Sequence, residues 1–182
     1  MRVLSMVLRL DSWYMVSVRR LGEWHEVKEF VQPDNPDVVA LYRQIGADAW
    51  ALYDWVCKNI AYRHDIGEFW QMPSETIASR QGDCEDSSIL LTSLLRTFSN
   101  AYTILGSYGG SGHAWVSTRD GQVLETTYDR AAPVADPGSY RAYCFFNDRE
   151  VIELWPGALD QVFELRRNEE QKVGLMARAL KA

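Results

Sequence analysis

Gly82-Asp83-Cys84-Glu85-Asp86-Ser87-Ser88-Ile89-Leu90-Leu91-Thr92-Ser93-Leu94-Leu95-Arg96 is the stretch from which the rest of this 182-residue chain is read. Ile89, Leu90, Leu94, Leu95 and Phe98 recur at spacings that make one broad helical face, which predicts a helix with Cys84 in its first turn. A thiol there meets unpaired backbone N–H groups and the positive end of the helix dipole, and both favour thiolate over thiol. Asp83, Glu85 and Asp86 pull the other way, so a nearby imidazolium is needed to keep the thiolate. His113, within Gly112-His113-Ala114-Trp115, is the residue placed to supply it.

Between helix and histidine, Ala101 to Gly106 reads as a buried strand and Ser107 to Gly112 as a Gly-rich turn able to admit a substrate backbone closely. His113 to Thr118, Arg119-Asp120-Gly121, and Gln122 to Tyr128 then follow the strand, Asp-Gly turn, strand pattern of a β-hairpin. The second arm carries Glu125 and Asp129. Either could hydrogen-bond one ring nitrogen of His113 and hold the other toward the sulfur, the third role of a catalytic triad. Strand parity does not choose between them, because a one-residue change in the loop flips the face.

The run resembles the transglutaminase-like superfamily of papain-like thiol enzymes, in which Cys, His and Asp follow in that chain order. The resemblance rests on Trp70-Gln71-Met72-Pro73-Ser74-Glu75-Thr76, Gly82 to Asp86, Gly112 to Trp115 and Glu125-Thr126-Thr127, over roughly residues 40 to 148. It implies Cys84 as nucleophile and His113 as general base. The family's usual Asp-x-Thr ending stands here as Glu125-Thr126-Thr127, which favours Glu125, while Asp129 keeps the acidic type at a plausible distance. A Trp or Gln side chain upstream of the cysteine helps to stabilise the oxyanion in the family, making Trp70 and Gln71 candidates. The implied fold is α+β: a papain-like, transglutaminase-like core, its nucleophile helix packed on a small antiparallel sheet, with a C-terminal helical tail.

Each residue also has a plainer reading. A cysteine in an apolar helix is commonly a small core residue, although the flanks of Cys84 are charged. Glu125 or Asp129 could be a solvated strand or turn acid, and Trp70 a core aromatic. A chain with 47% hydrophobic and 24% charged residues can bury a sizeable core without staples. Three cysteines make an odd number, and Cys57 and Cys144 lie in helical and strand patterns, which suggests buried thiols in a reducing compartment. His25, His64 and His113 are far apart and no Cys-x-x-Cys pair occurs, so no metal or other cofactor is expected. A net charge of −6 argues against a nucleic-acid partner, since the basic pairs Arg19-Arg20 and Arg166-Arg167 form no stripe. Apolar runs far short of about 20 residues argue against a membrane span. Met1 to Leu10, broken by Arg2 and Arg9, does not read as a signal peptide, so a cytoplasmic location is expected.

The organisation expected is a single domain over residues 1–155 and a C-terminal helical extension over 156–182. Strands are expected at Val3 to Leu10, Trp13 to Val18 and Trp24 to Val31. After the turn cluster Gln32-Pro33-Asp34-Asn35-Pro36-Asp37, helical spacing runs from Val38 to Ala61. Ser74 is a candidate N-cap for a short helix over Glu75 to Arg80, and Tyr140 to Phe146 a further strand. In the tail, Leu159, Val162, Phe163, Leu165, Val173, Leu175, Met176 and Leu180 form an amphipathic pattern interrupted by Arg166 to Lys172, suggesting one broken helix or two. That tail packs on its own domain, pairs with a second chain as a homo-oligomer, or covers the cleft. The chemistry expected is acyl transfer on a protein or peptide substrate through a thioester, most simply hydrolysis. A protein-crosslinking transglutaminase and a catalytically silent binding module on the same fold are the alternatives. Peptide deglycosylation fits less well, since related enzymes often carry a zinc cysteine set that this sequence lacks.

Overall fold

The computed structural model describes residues 7–65 and 67–179. Helix propensity, caps and glycines divide the first helical region in two. α1 (Pro36–Ile45) starts on Asn35, whose side chain accepts from the Asp37 N–H at 3.0 Å, and stops at Gly46, whose φ of 99° a side chain would resist. α2 (Ala49–Asn59) restarts on Asp48, which caps the N–H groups of Trp50 and Ala51. The continuous helical spacing expected from Val38 to Ala61 is therefore two helices around a glycine stop.

α3 (Pro73–Ser79) begins two positions earlier than expected: Met72 is the N-cap and Ser74 lies inside the first turn. Glu75 reaches back to the Met72 N–H at 2.6 Å, and Pro73 suits the first helical position because its missing N–H would be unpaired there anyway. α4 (Cys84–Arg96) starts on Asp83, whose Oδ1 accepts from the N–H groups of Glu85 and Asp86 at 3.1 and 3.4 Å. Asp86 returns the bond by accepting from the Asp83 N–H, which completes a capping box.

Every residue of α4 from Cys84 to Leu95 is buried, so the helix is enclosed all round rather than on one face. Its polar residues therefore need partners, and they have them. Thr92 bonds Thr103 at 2.8 Å, and Ser87 and Ser88 both bond Thr126. Phe98 lies beyond the helix end and is 38% exposed, so it does not extend the apolar face.

The N-terminal segment forms a three-stranded antiparallel sheet of β1 (Val7–Leu10), β2 (Trp13–Val16) and β3 (His25–Glu26), followed by a 3-10 turn over Val27–Phe30. The expected strand start at residues 3–6 lies outside the described residues. A two-residue parallel pair, β4 (Ala61–Tyr62) with β5 (Gln81–Gly82), leads into α4.

The main sheet is antiparallel, in the order β10 (Val151–Glu153), β9 (Tyr140–Phe146), β6 (Ala101–Tyr108), β7 (Ser111–Thr118), β8 (Val123–Leu124). The Gly-rich turn expected over Ser107 to Gly112 is a tight hairpin: Tyr108 pairs with Ser111, and Gly109 and Gly110 make the turn with φ of 59° and 86°. At Gly106 the β6–β9 register shifts, and a Cβ there would lie 2.1 Å from the Arg141 carbonyl and 2.7 Å from Trp115. Glycine at 106 is what lets β9 and Trp115 close in opposite His113.

Two apolar clusters share α4. One joins α1 and α2 to Leu90, Leu91, Leu94 and Leu95. The other joins Cys84 and Ile89 to Trp70, Leu105, Ala114, Phe146 and three residues of α5 (Ala158–Ala179). α5 is one continuous helix, not two: Leu159, Val162 and Phe163 fall on one face and bury against the sheet, while the polar stretch that follows has high helix propensity. Leu180, at the end of the apolar pattern, lies outside the described residues.

Candidate active site

Cys84 is the first residue of α4 and is 3% exposed. Its Sγ donates to Glu85 Oε2 at 3.0 Å and accepts from Arg166 Nη1 at 3.4 Å. Burial pushes its thiol pKa up, Arg166 opposes that rise and Asp83 adds to it, with the net shift upward.

His113 lies near the start of β7, and its Nε2 is 2.7 Å from Glu125 Oε2. Glu125 follows β8 and is 2% exposed. Its Oε2 also accepts from the Tyr140 hydroxyl at 2.8 Å, and its Oε1 from the Thr127 N–H at 3.0 Å and the Thr127 hydroxyl at 2.7 Å. Burial pushes this carboxyl up, but the bonds from His113 and Thr127 outweigh it, and the group titrates below the ordinary glutamate value. The backbone around it is pinned twice: the Tyr53 hydroxyl bridges the Glu125 N–H and carbonyl, and Thr126 is tied to Ser87 and Ser88 of α4. With Nε2 committed to Glu125, Nδ1 is the imidazole nitrogen left for a reacting group. Among the described residues, no hydrogen bond joins Sγ directly to His113.

Asp129 is exposed and lines a cleft of about 360 Å³ with Tyr62, Gly82, Ser87 and Thr126; the acid on His113 is Glu125. Trp70 is 1% exposed, stacks between Phe146 and Phe163, and donates its indole N–H to Glu68 at 3.2 Å. Gln71 spends its side-chain amide on Asp86 and the Gln81 carbonyl, and its own N–H on Asp86. In this arrangement both upstream side chains serve packing and the α4 cap.

Arg166, on α5, escaped the reading of the sequence. Its guanidinium pairs with Glu68 and Glu85, and with Asp83 at 3.2 Å, while touching the Cys84 sulfur. The signal was present: Arg166 follows Leu159, Val162 and Phe163 at helical spacing, and a cation on the apolar face of a helix needs buried anions. Glu68 and Tyr140 were also missed, because their partners Arg166 and Glu125 are distant in sequence, while Thr127 stood in the motif without a role of its own. Asp83, Cys84 and Glu85 bring their ligand atoms within 4.8 Å of one another, as a metal site would require, but Arg166 already supplies the positive charge there. None of the described helices is long and apolar enough to cross a membrane.

Residues 68–151 match the CEP76 peptidase-like domain family. No curated protein sequence matches the chain significantly. Among solved structures, EGTA-treated LapG of Legionella pneumophila is similar with a TM-score of 0.50 at 13% identity, over 75% of this chain and 98% of that one. Its calcium-bound form gives 0.46 at 14% identity, over 74% and 98%. A candidate cysteine protease of Cytophaga hutchinsonii gives 0.47 at 17% identity, over 69% of this chain and 50% of that one. Cys84 at the start of the central helix and His113 on the antiparallel sheet thus lie in a fold similar to that of EGTA-treated LapG, and residues 68–151 within it are similar to the CEP76 peptidase-like domain.

Proposed function

We propose that the protein catalyses cysteine-dependent acyl transfer on peptide or carboxamide bonds, with Cys84 as nucleophile, His113 as general base and acid, and Glu125 as the group that orients the imidazole. The observation that carries this reading is the 2.7 Å pair of His113 Nε2 with a buried Glu125 carboxylate, in the chain order cysteine, histidine, acid. In the reaction, His113 Nδ1 takes the thiol proton as sulfur bonds to the substrate carbonyl carbon, and local N–H donors stabilise the oxyanion. Collapse breaks the carbon–nitrogen bond, the amine leaves with the proton from His113, and a thioester remains. Water, deprotonated by His113, then releases the acid and restores the thiol.

Water is the favoured acceptor, because transfer to an amine requires a second site that binds the amine and shuts water out. The test is incubation with peptide libraries, with and without an added primary amine, for the wild type, Cys84→Ala and His113→Ala. New N-termini that depend on both residues support hydrolysis; amine adducts without cleavage make the protein a transglutaminase. The closed state of Cys84 favours a second reading, a silent binding module, which stands if neither product forms and Cys84 reacts as an ordinary thiol. Three free, buried cysteines support a reducing compartment such as the cytoplasm.

A further inference from the structure

α5 does more than complete the core. Its first two turns are fixed by Leu159, Val162 and Phe163, each no more than 2% exposed. Its next turn is held by polar contacts, all of them at the candidate site. Arg166 pairs with Glu68, Asp83 and Glu85 and donates to Cys84 Sγ. Glu169 accepts the N–H of Gly112, the residue before His113, at 2.7 Å. The stem of Arg166 lies against β7 as well, since a Cβ on Gly112 would be 2.6 Å from Arg166 Cγ. One arginine side chain therefore spans from the histidine strand to the sulfur. Farther along, Val173 and Met176 are 62% and 67% exposed.

We propose that α5 is an autoinhibitory cap: Arg166 and Glu169 lock it over the nucleophile, and the cleft opens when the helix beyond Phe163 leaves its site. The proposal rests on the reading of Cys84 as the nucleophile. Three carboxylates around one guanidinium make the closed state specific, because withdrawing Arg166 leaves anions facing the sulfur until another cation or water replaces it.

The test is site-resolved iodoacetamide alkylation of Cys84 in the folded full-length chain from about pH 6 to about pH 10, comparing wild type, Arg166→Ala and Glu169→Ala. Two features of the pH curve separate access from electrostatics. Loss of the guanidinium moves the midpoint of the curve, whereas uncapping raises the plateau obtained when each rate is divided by the thiolate fraction measured at the same pH by sulfur absorbance. The plateau is expected to rise at least about tenfold in Arg166→Ala and about threefold in Glu169→Ala. A moved midpoint with an unchanged plateau, or a lower plateau, overturns the cap. Should Arg166→Ala not fold, as judged by circular dichroism, Glu169→Ala decides alone, and an unchanged plateau there overturns it. His113→Ala addresses the nucleophile reading separately: a Cys84 midpoint insensitive to that change removes the triad, whatever the plateau does.

Discussion

Replacing Glu125 by glutamine removes one charge and relocates one proton. The carboxylate accepts from His113 Nε2 and Tyr140 on one oxygen and from two Thr127 donors on the other. An amide has one acceptor end. Turning its NH₂ toward Thr127 would oppose a backbone N–H that cannot move, so the NH₂ faces His113 and Tyr140 instead. The tyrosine hydroxyl rotates to accept, but Nε2 must give up its proton, and the neutral imidazole then carries it on Nδ1. That is the nitrogen meant to take the thiol proton, so the base is lost while the fold survives. General acid–base catalysis contributes about 10²–10⁴-fold, so kcat/KM is expected to fall by that factor, equivalent to about 2.7–5.5 kcal/mol. The lost charge-assisted bond costs about 1.5–3 kcal/mol of stability, and melting drops by about 2–4 °C per kcal/mol. The assay is peptide turnover with thermal melts on the same samples, and Asp129→Asn is the control, expected within about threefold of wild type because an exposed acid in this setting carries little. Glu125→Gln activity within about fivefold of wild type, or an equal loss in Asp129→Asn, refutes the assignment.

Gly106→Ala should lower stability by about 3 kcal/mol, since its methyl would meet the Arg141 carbonyl and Trp115; an unchanged melting temperature would show that β9 yields freely. Trp70→Phe should retain activity within about tenfold while Trp70→Ala destabilises by about 3–5 kcal/mol, because the indole is a core aromatic whose N–H is spent on Glu68; a loss of about 10²-fold or more in the phenylalanine variant would restore an oxyanion role. Burial and the neighbouring Asp83 push Asp86 up to about 8. Its stabilising effect is therefore fully present below about pH 3.9, its unfolded value, and is lost as pH rises toward the folded value. Urea midpoints should fall between about pH 5 and about pH 8, and Asp86→Asn should flatten that slope. Glu125 acts in the opposite sense: its contribution is present above about pH 4.3 and is lost as pH falls through its lower folded value. Burial pushes Cys57 and Cys144 up to about 12, so at about pH 8 each should hold roughly three orders of magnitude less thiolate than in the unfolded chain; fast alkylation of either in the folded protein would contradict that burial.

The Cys84 helix, the strand before His113 and the strand from Tyr140 to Phe146 were legible because periodicity and capping act over a few residues. Helix stops were harder to read: the break at Gly46 depends on a positive φ that only the surrounding turn requires. The choice between Glu125 and Asp129 needed the register of β8, a strand of two residues whose face is fixed by pairing with β7 and not by its own pattern.

The sequence by itself determined the Cys84 helix, its acidic cap and the order of cysteine, histidine and acid, since each is written in local spacing and in residue types with few other uses. Only the tertiary structure decided which acid holds His113 and that Arg166 sits beside a sulfur 82 residues away. The physical reason is that a buried charge is placed by partners drawn from the whole chain. Glu68, Asp83 and Glu85 have no common sequence pattern with Arg166, and only the packing of α5 on the sheet makes them neighbours.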